Sequence, residues 1–251
     1  VLGAVTLGTA MNVTSAASSS RGILPRVTLN GGEIVTETVS QPLGDAQRAD
    51  VEFDLSLGEI NVKAQSEAGG LIEGTAGVLQ GEKLLQNYRV DGSTAYYGLR
   101  LDGASVFSFN DRNDRNRGND RKWDLRLNPE VPMRLAINGG LGKINLDLAK
   151  LNVTNLEVKT GISKTDLTLP KKGNVQATID GGISEATVLI PRGMAARIEV
   201  NRGIGKVSVI GNYQQNGNLY QSPGYESAKD RVDLVVKGGI GKITIREYNV
   251  S

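Results

Sequence analysis

Gly140-Leu141-Gly142-Lys143-Ile144-Asn145-Leu146 returns as Gly161-Ile162-Ser163-Lys164-Thr165-Asp166-Leu167 and as Gly182-Ile183-Ser184-Glu185-Ala186-Thr187-Val188. It returns again as Gly203-Ile204-Gly205-Lys206-Val207-Ser208-Val209. Each of these steps is 21 residues long. A fifth copy, Gly239-Ile240-Gly241-Lys242-Ile243-Thr244-Ile245, follows after 36, so one interval carries about fifteen extra residues. A fixed period of this size marks a repeat architecture, in which no unit buries its apolar side alone.

The residues around each glycine say what the unit is. Positions three and five before it are apolar in every copy: Ile137 and Leu135, Val158 and Leu156, Ile179 and Ala177, Val200 and Ile198, Val236 and Leu234. After it, alternation runs through Leu146 and Leu148, Leu167 and Leu169, Val188 and Ile190. Period-two alternation on both sides of a glycine means two short strands per unit, each with one buried face. Pro170 and Pro191 fall where the second strand should end. Gly140, Gly161, Gly182, Gly203 and Gly239 then read as structural corners.

The fold expected is all-β, a parallel β-solenoid (β-helix) with coils of about 21 residues. An antiparallel meander is the alternative, but hairpins do not require so regular a recurrence. Leu146, Leu167, Val188 and Val209 should stack as one buried row. Lys164, Glu185 and Lys206 should form a charge ladder with one carboxylate between two ammoniums.

The repeats occupy residues 132–251, with an insertion at 212–231. Residues 23–131 read as a β lead-in. It holds an early copy, Leu57-Gly58-Glu59-Ile60-Asn61-Val62, and a charged run from Asn110 to Lys122. Residues 1–22 read as a signal or anchor remnant, mildly apolar through Met11, followed by a flexible tether.

Composition narrows the function. The 251 residues include 32 glycines but only 4% aromatics, so thin layers of Leu, Ile and Val must fill the core. Net charge is +2, from 29 basic and 27 acidic residues, which argues against a nucleic-acid partner. With no histidine and no cysteine, His-dependent triads, thiolate metal sites and disulfides are excluded. No cofactor and no catalytic or metal-binding constellation is read.

Trp123 to Leu148 (WDLRLNPEVPMRLAINGGLGKINLDL), the later glycine corners and Tyr220-Gln221-Ser222-Pro223-Gly224-Tyr225 resemble the toast-rack domain family of bacteria and archaea, related to LiaF-like cell-envelope stress proteins. The resemblance is strong over about half the chain and looser near Leu57 to Val62. It implies a β-solenoid on the outer side of a membrane, typically tethered by N-terminal hydrophobic helices. It implies no reaction. The regulatory relatives repress a membrane histidine kinase.

Three features invite functional readings. Gly140-Leu141-Gly142-Lys143 is not a phosphate loop, because the G-x-x-x-x-G-K-[ST] spacing and the following helix are both missing. The run from Asn110 to Lys122 lacks calcium-loop spacing and reads as an exposed loop. The insertion gathers Tyr213, Tyr220 and Tyr225, either as a lid over the end of the stack or as anchors for a protein or glycan partner. The function expected is a non-enzymatic, membrane-tethered extracytoplasmic domain for interaction or envelope-stress sensing, with an envelope or membrane protein as partner. The alternatives are an adhesin-like surface module for glycans or proteins, and a structural polymer of stacked coils.

Overall fold

The computed structural model describes residues 34–66, 69–103 and 121–249. Both the tether, residues 1–22, and most of the charged run after Asn110 lie outside them. The described residues are all-β, with thirteen strands in one open, mostly parallel sheet and a single 3-10 turn at Tyr225–Ser227.

Five long strands carry the glycine repeats: β7 (Met133–Asp147), β8 (Val153–Thr168), β9 (Asn174–Pro191), β10 (Ala195–Ile210) and β13 (Arg231–Tyr248). Each crosses its glycine corner without a break and doubles back, so its two halves face each other. A Cβ on Gly139 would lie 2.8 Å from Ile144 Cδ1, and one on Gly238 2.9 Å from Ile243 Cδ1. The core is therefore a thin layer between the two halves of one sheet.

Stacking is parallel and in register. Leu141 lies beside Ile162, and Ile162 beside Ile183, so both steps shift the chain by 21 residues. Upstream, β2 (Arg48–Ala64) pairs with β7 and sets Gly58 beside Gly142. The corners are too close for side chains: a Cβ on Gly161 would sit 2.8 Å from Gly140 O, and one on Gly182 2.9 Å from Gly161 O. Gly142 also holds φ 140°, which an L side chain rarely adopts.

Sequential stacking stops after β9. The next neighbour of β9 is β13, which pairs with it over seventeen positions, and β10 lies outside β13. The expected core row is thus interrupted: Leu146, Leu167 and Val188 are buried, Ile245 takes the next place, and Val209 is half-buried at the end. The charge ladder changes likewise. Glu185 is flanked by Lys164 and Lys242, not by Lys206. Thr165 occupies a buried place between Ile144 and Ala186, where its hydroxyl lies 3.4 Å from that of Ser163.

The ends also depart from a purely parallel stack. At the N-terminal end, β5 (Thr94–Asp102) covers the first half of β2 and β6 (Lys122–Leu127) covers its second half, both parallel to it. Beyond them, β4 (Lys83–Asp91) pairs antiparallel with β5, β3 (Ile72–Leu79) antiparallel with β6, and β1 (Ile34–Gln41) antiparallel with β3. Reversing the chain closes this end with hairpin-like pairs. A buried Arg121–Glu82 ion pair of 2.8 Å sits there beneath Gly58 and Gly77. At the other end, β11 (Gln214–Asn216) and β12 (Leu219–Gln221) form an antiparallel pair, with β12 on Arg197–Glu199 of β10.

Candidate functional site

Strand alternation puts one face of each half in the core and the other in water. The residue just after each corner glycine escapes this choice, because the chain is bending there and its side chain points off the edge of both layers. In every copy that residue is aliphatic. Leu57, Leu141, Ile162, Ile183, Ile240 and Ile204 lie side by side in that order. At about 4.8 Å per strand they make a ridge about 24 Å long. Ile162 is 53% exposed, Ile183 50%, Ile240 51% and Ile204 75%. Leu57 and Leu141 are half-buried, so the exposed part of the row is the run of four isoleucines, and contiguous exposed apolar surface is where interaction sites are sought.

Its borders are charged. Two residues on from the ridge runs the row Glu59, Lys143, Lys164, Glu185, Lys242 and Lys206. Within it Lys143 reaches Glu59 at 3.5 Å and Lys242 reaches Glu185 at 3.8 Å. Lys164 and Lys206 make no ion pair among the described residues, so this border is basic. The border on the other layer is mixed, with Asp54, Lys159, Asp180 and Lys237. Among the described residues no group of three or more His, Cys, Asp or Glu converges as metal ligands would. The arrangement is suited to holding a macromolecule along a line, through apolar contact with charged rims.

The tyrosines of the insertion are placed differently. Tyr225 is only 3% exposed. Its hydroxyl donates to Asp233 Oδ2 at 2.6 Å, while Arg197 Nε donates to Asp233 Oδ1 at 2.6 Å. The Arg197 guanidinium lies over the ring at 4.9 Å from its centroid. Burial, and then the Asp233 carboxylate, push the Tyr225 pKa up to about 12. This clasp ties the insertion to β10 and β13. Tyr213 and Tyr220 are half-buried and pack against the core, and the Tyr220 hydroxyl accepts from Gln215 Nε2 at 3.0 Å. Burial first, then nearby Glu247, raises the Tyr213 pKa. The insertion folds as a lid, but over the first half of β10 only.

The ridge could have been found in the sequence. An aliphatic residue between two glycines, or between glycine and serine, has no neighbouring side chain to bury it. Its recurrence at all five corners is out of phase with the core positions on the downstream side.

The family model for the N-terminal domain of toast_rack, DUF2154, matches residues 30–189, well over half of the chain. A second model, the C-terminal part of LiaF, a cell wall-active antibiotics response protein, matches residues 141–245. No curated protein matches the chain. Among solved structures, a "putative cell adhesion protein" from Clostridium sporogenes is 24% identical, with a TM-score of 0.76 over 86% of this chain and all of its own. A "putative adhesin" from Bacteroides fragilis is 10% identical, with a TM-score of 0.29 over 85% of this chain and 97% of its own.

Proposed function

The chain belongs to the toast-rack family, and from that premise we propose that it is a non-enzymatic interaction module of the cell envelope. It reads as a solenoid of 21-residue coils through β7, β8 and β9. It sits outside the cytoplasm, is held to the membrane through the segment at residues 1–22, and reports envelope stress by engaging a protein partner along the aliphatic ridge. The ridge carries this reading: six aliphatic residues lie in one row with a basic border, and four of them, Ile162, Ile183, Ile240 and Ile204, are exposed. Of the two matching families, that of the LiaF C-terminal part is described by a cell wall-active antibiotics response, and neither by a reaction, which supports a binding module over an enzyme.

The test is site-specific photo-crosslinking in cells, with the crosslinker at Ile162 or Ile183 and, as control, at Thr178 on an outward face away from the ridge. Adducts to an envelope protein should form from the ridge and not from Thr178. Ile162→Lys combined with Ile183→Lys should abolish them without lowering the melting temperature, since both side chains are exposed. Equal adducts from all three positions would refute the ridge as the contact surface.

A further inference from the structure

The two ends of the stack are finished unequally. On β2, both halves are covered, by β5 and β6. On β10, β12 covers Arg197–Glu199, whereas Gly203–Ile210 has β13 on one side and no strand on the other among the described residues.

Hydrogen bonding at that edge is left open. Along the stack, core-facing residues send their N–H toward the next strand: Leu148 N donates to Thr168 O at 3.0 Å and Leu169 N to Leu189 O at 3.0 Å. By the same repeat geometry the core-facing Val207 and Val209 turn theirs toward the empty side. An unpaired strand edge is a template for another strand.

The side chains agree. Ala186, Val188, Ile243 and Ile245 are buried, but their counterparts Val207 and Val209 are only half-buried. On the outer face, the in-register neighbour of Lys206 is Lys242, a like charge already engaged by Glu185. At the opposite end, β6 shows how such a slot is filled. Trp123 and Leu125 face inward beside Ile60 and Val62, and Lys122 stands opposite Glu59.

We propose that Gly203–Ile210 is an acceptor slot for an extended segment of another polypeptide. That segment alternates aliphatic with polar residues, sets its aliphatic side chains over Val207 and Val209, and places a carboxylate opposite Lys206. Main-chain hydrogen bonds supply affinity, and the valines and the lysine supply register and sequence preference. The slot adjoins the ridge and shares Lys206 with its basic border, but Val207 and Val209 lie in the strand beyond the corner and belong to neither, so the peptide titration and the crosslinking at Ile162 and Ile183 can fail separately.

The probe is a short fluorescein-labelled peptide alternating valine and threonine around one central glutamate. Titration against the full chain, followed by fluorescence anisotropy, should give saturable binding. Lys206→Glu should weaken it several-fold with an unchanged melting curve, because Lys206 is exposed. Replacing the peptide glutamate by lysine should weaken it equally, and the two changes together should restore it. Amide hydrogen exchange at Val207 and Val209 should slow in the complex. Absent saturation, or binding indifferent to both charge changes, would overturn the proposal. So would concentration-dependent dimers, seen by sedimentation, that protect the same amides without peptide: the occupant would then be a second copy.

Discussion

Ile245→Ala and Val209→Ala, compared, test the order of the outer strands. Ile245 is fully buried, between Val188 on β9 and Val209 on β10. Cutting it to alanine removes three carbons from a site closed on all sides, and buried isoleucine truncations cost about 2–5 kcal/mol. The middle of that range, about 3 kcal/mol, should apply, because neighbouring strands fixed by main-chain bonds cannot collapse into the gap. Val209 is half-buried at the open edge, loses two carbons, and leaves a notch that water can fill, so about 1 kcal/mol is expected. At roughly 2–4 °C per kcal/mol for a chain of this size, the melting point should fall by about 6–12 °C for Ile245→Ala and about 2–4 °C for Val209→Ala. Thermal and urea unfolding would be followed by far-ultraviolet circular dichroism and by fluorescence of Trp123. This sole tryptophan is buried on β6 at the far end of the stack. If Ile245→Ala uncouples the last coils, circular dichroism should respond before fluorescence. A sequential stack makes the opposite prediction, with Val209 interior and Ile245 terminal. Equal losses, or a larger loss for Val209→Ala, would refute the strand order.

Glu185→Lys would set five lysines in register, from Lys143 to Lys206, and because the pair with Lys242 is more than half exposed the loss should stay within about 1 kcal/mol. Chemical denaturation in low and high salt should show part of that loss restored by salt, and a loss unmoved by salt would count against the ladder. The contribution of Tyr225 to stability should be constant below about pH 10, the ordinary tyrosine value. It should then fall as pH rises through the folded value of about 12 for Tyr225, since the unfolded chain releases that proton first. Tyr225→Phe should make the fall shallower in a pH series of urea midpoints, and an unchanged slope would show that the clasp does not titrate as described. Deleting residues 214–226 removes β12 and the tyrosine clasp. It bares the first half of β10 as well, so light scattering should report association, and a persistent monomer would argue against the lid.

The repeat was legible because the core rows obey a simple rule. Leu146, Leu167 and Val188 share a phase fixed by the glycine, and the register follows once the 21-residue shift is seen. The position of β13 was not legible, because Gly203 and Gly239 head nearly identical segments. Lys206 and Lys242 would complete the same charge row in either order. The lid was half legible. Three tyrosines in a polar insertion signal a packed loop, yet only the hydrogen bond from Tyr225 to Asp233 shows which tyrosine is committed to structure. The aliphatic ridge was in plain view as part of the corner motif. It was easy to pass over because the same residue types, one phase away, build the core.

The inversion of β10 and β13 has a physical logic that returns to the open edge. In the core β13 presents Val232, Leu234, Val236, Ile243 and Ile245, whereas β10 presents Ala196, Ile198, Val200, Val207 and Val209. The bulkier set gains more from an interior place, since stabilisation scales with apolar area removed from water. Length points the same way. β9 runs eighteen residues to Pro191, and β13, also eighteen residues long, matches it to Tyr248. β10 stops at Ile210, where Gly211 turns the chain into the insertion against the ring of Tyr213. The strand that fits β9 poorly and has the smaller side chains is therefore left outermost, and its first half is sealed by β12. The sequence of the outer half is consistent with an edge that is kept open and not merely unfinished. Lys206 discourages indiscriminate edge pairing, and Ser208 interrupts the outer face between Lys206 and Ile210. Replacing Lys206 by valine should remove that guard. The variant should keep its melting point, as an exposed residue allows, yet aggregate on standing, and light scattering at matched concentration would reveal the difference. If Lys206→Val is as soluble as the parent, the edge is protected by something other than this charge.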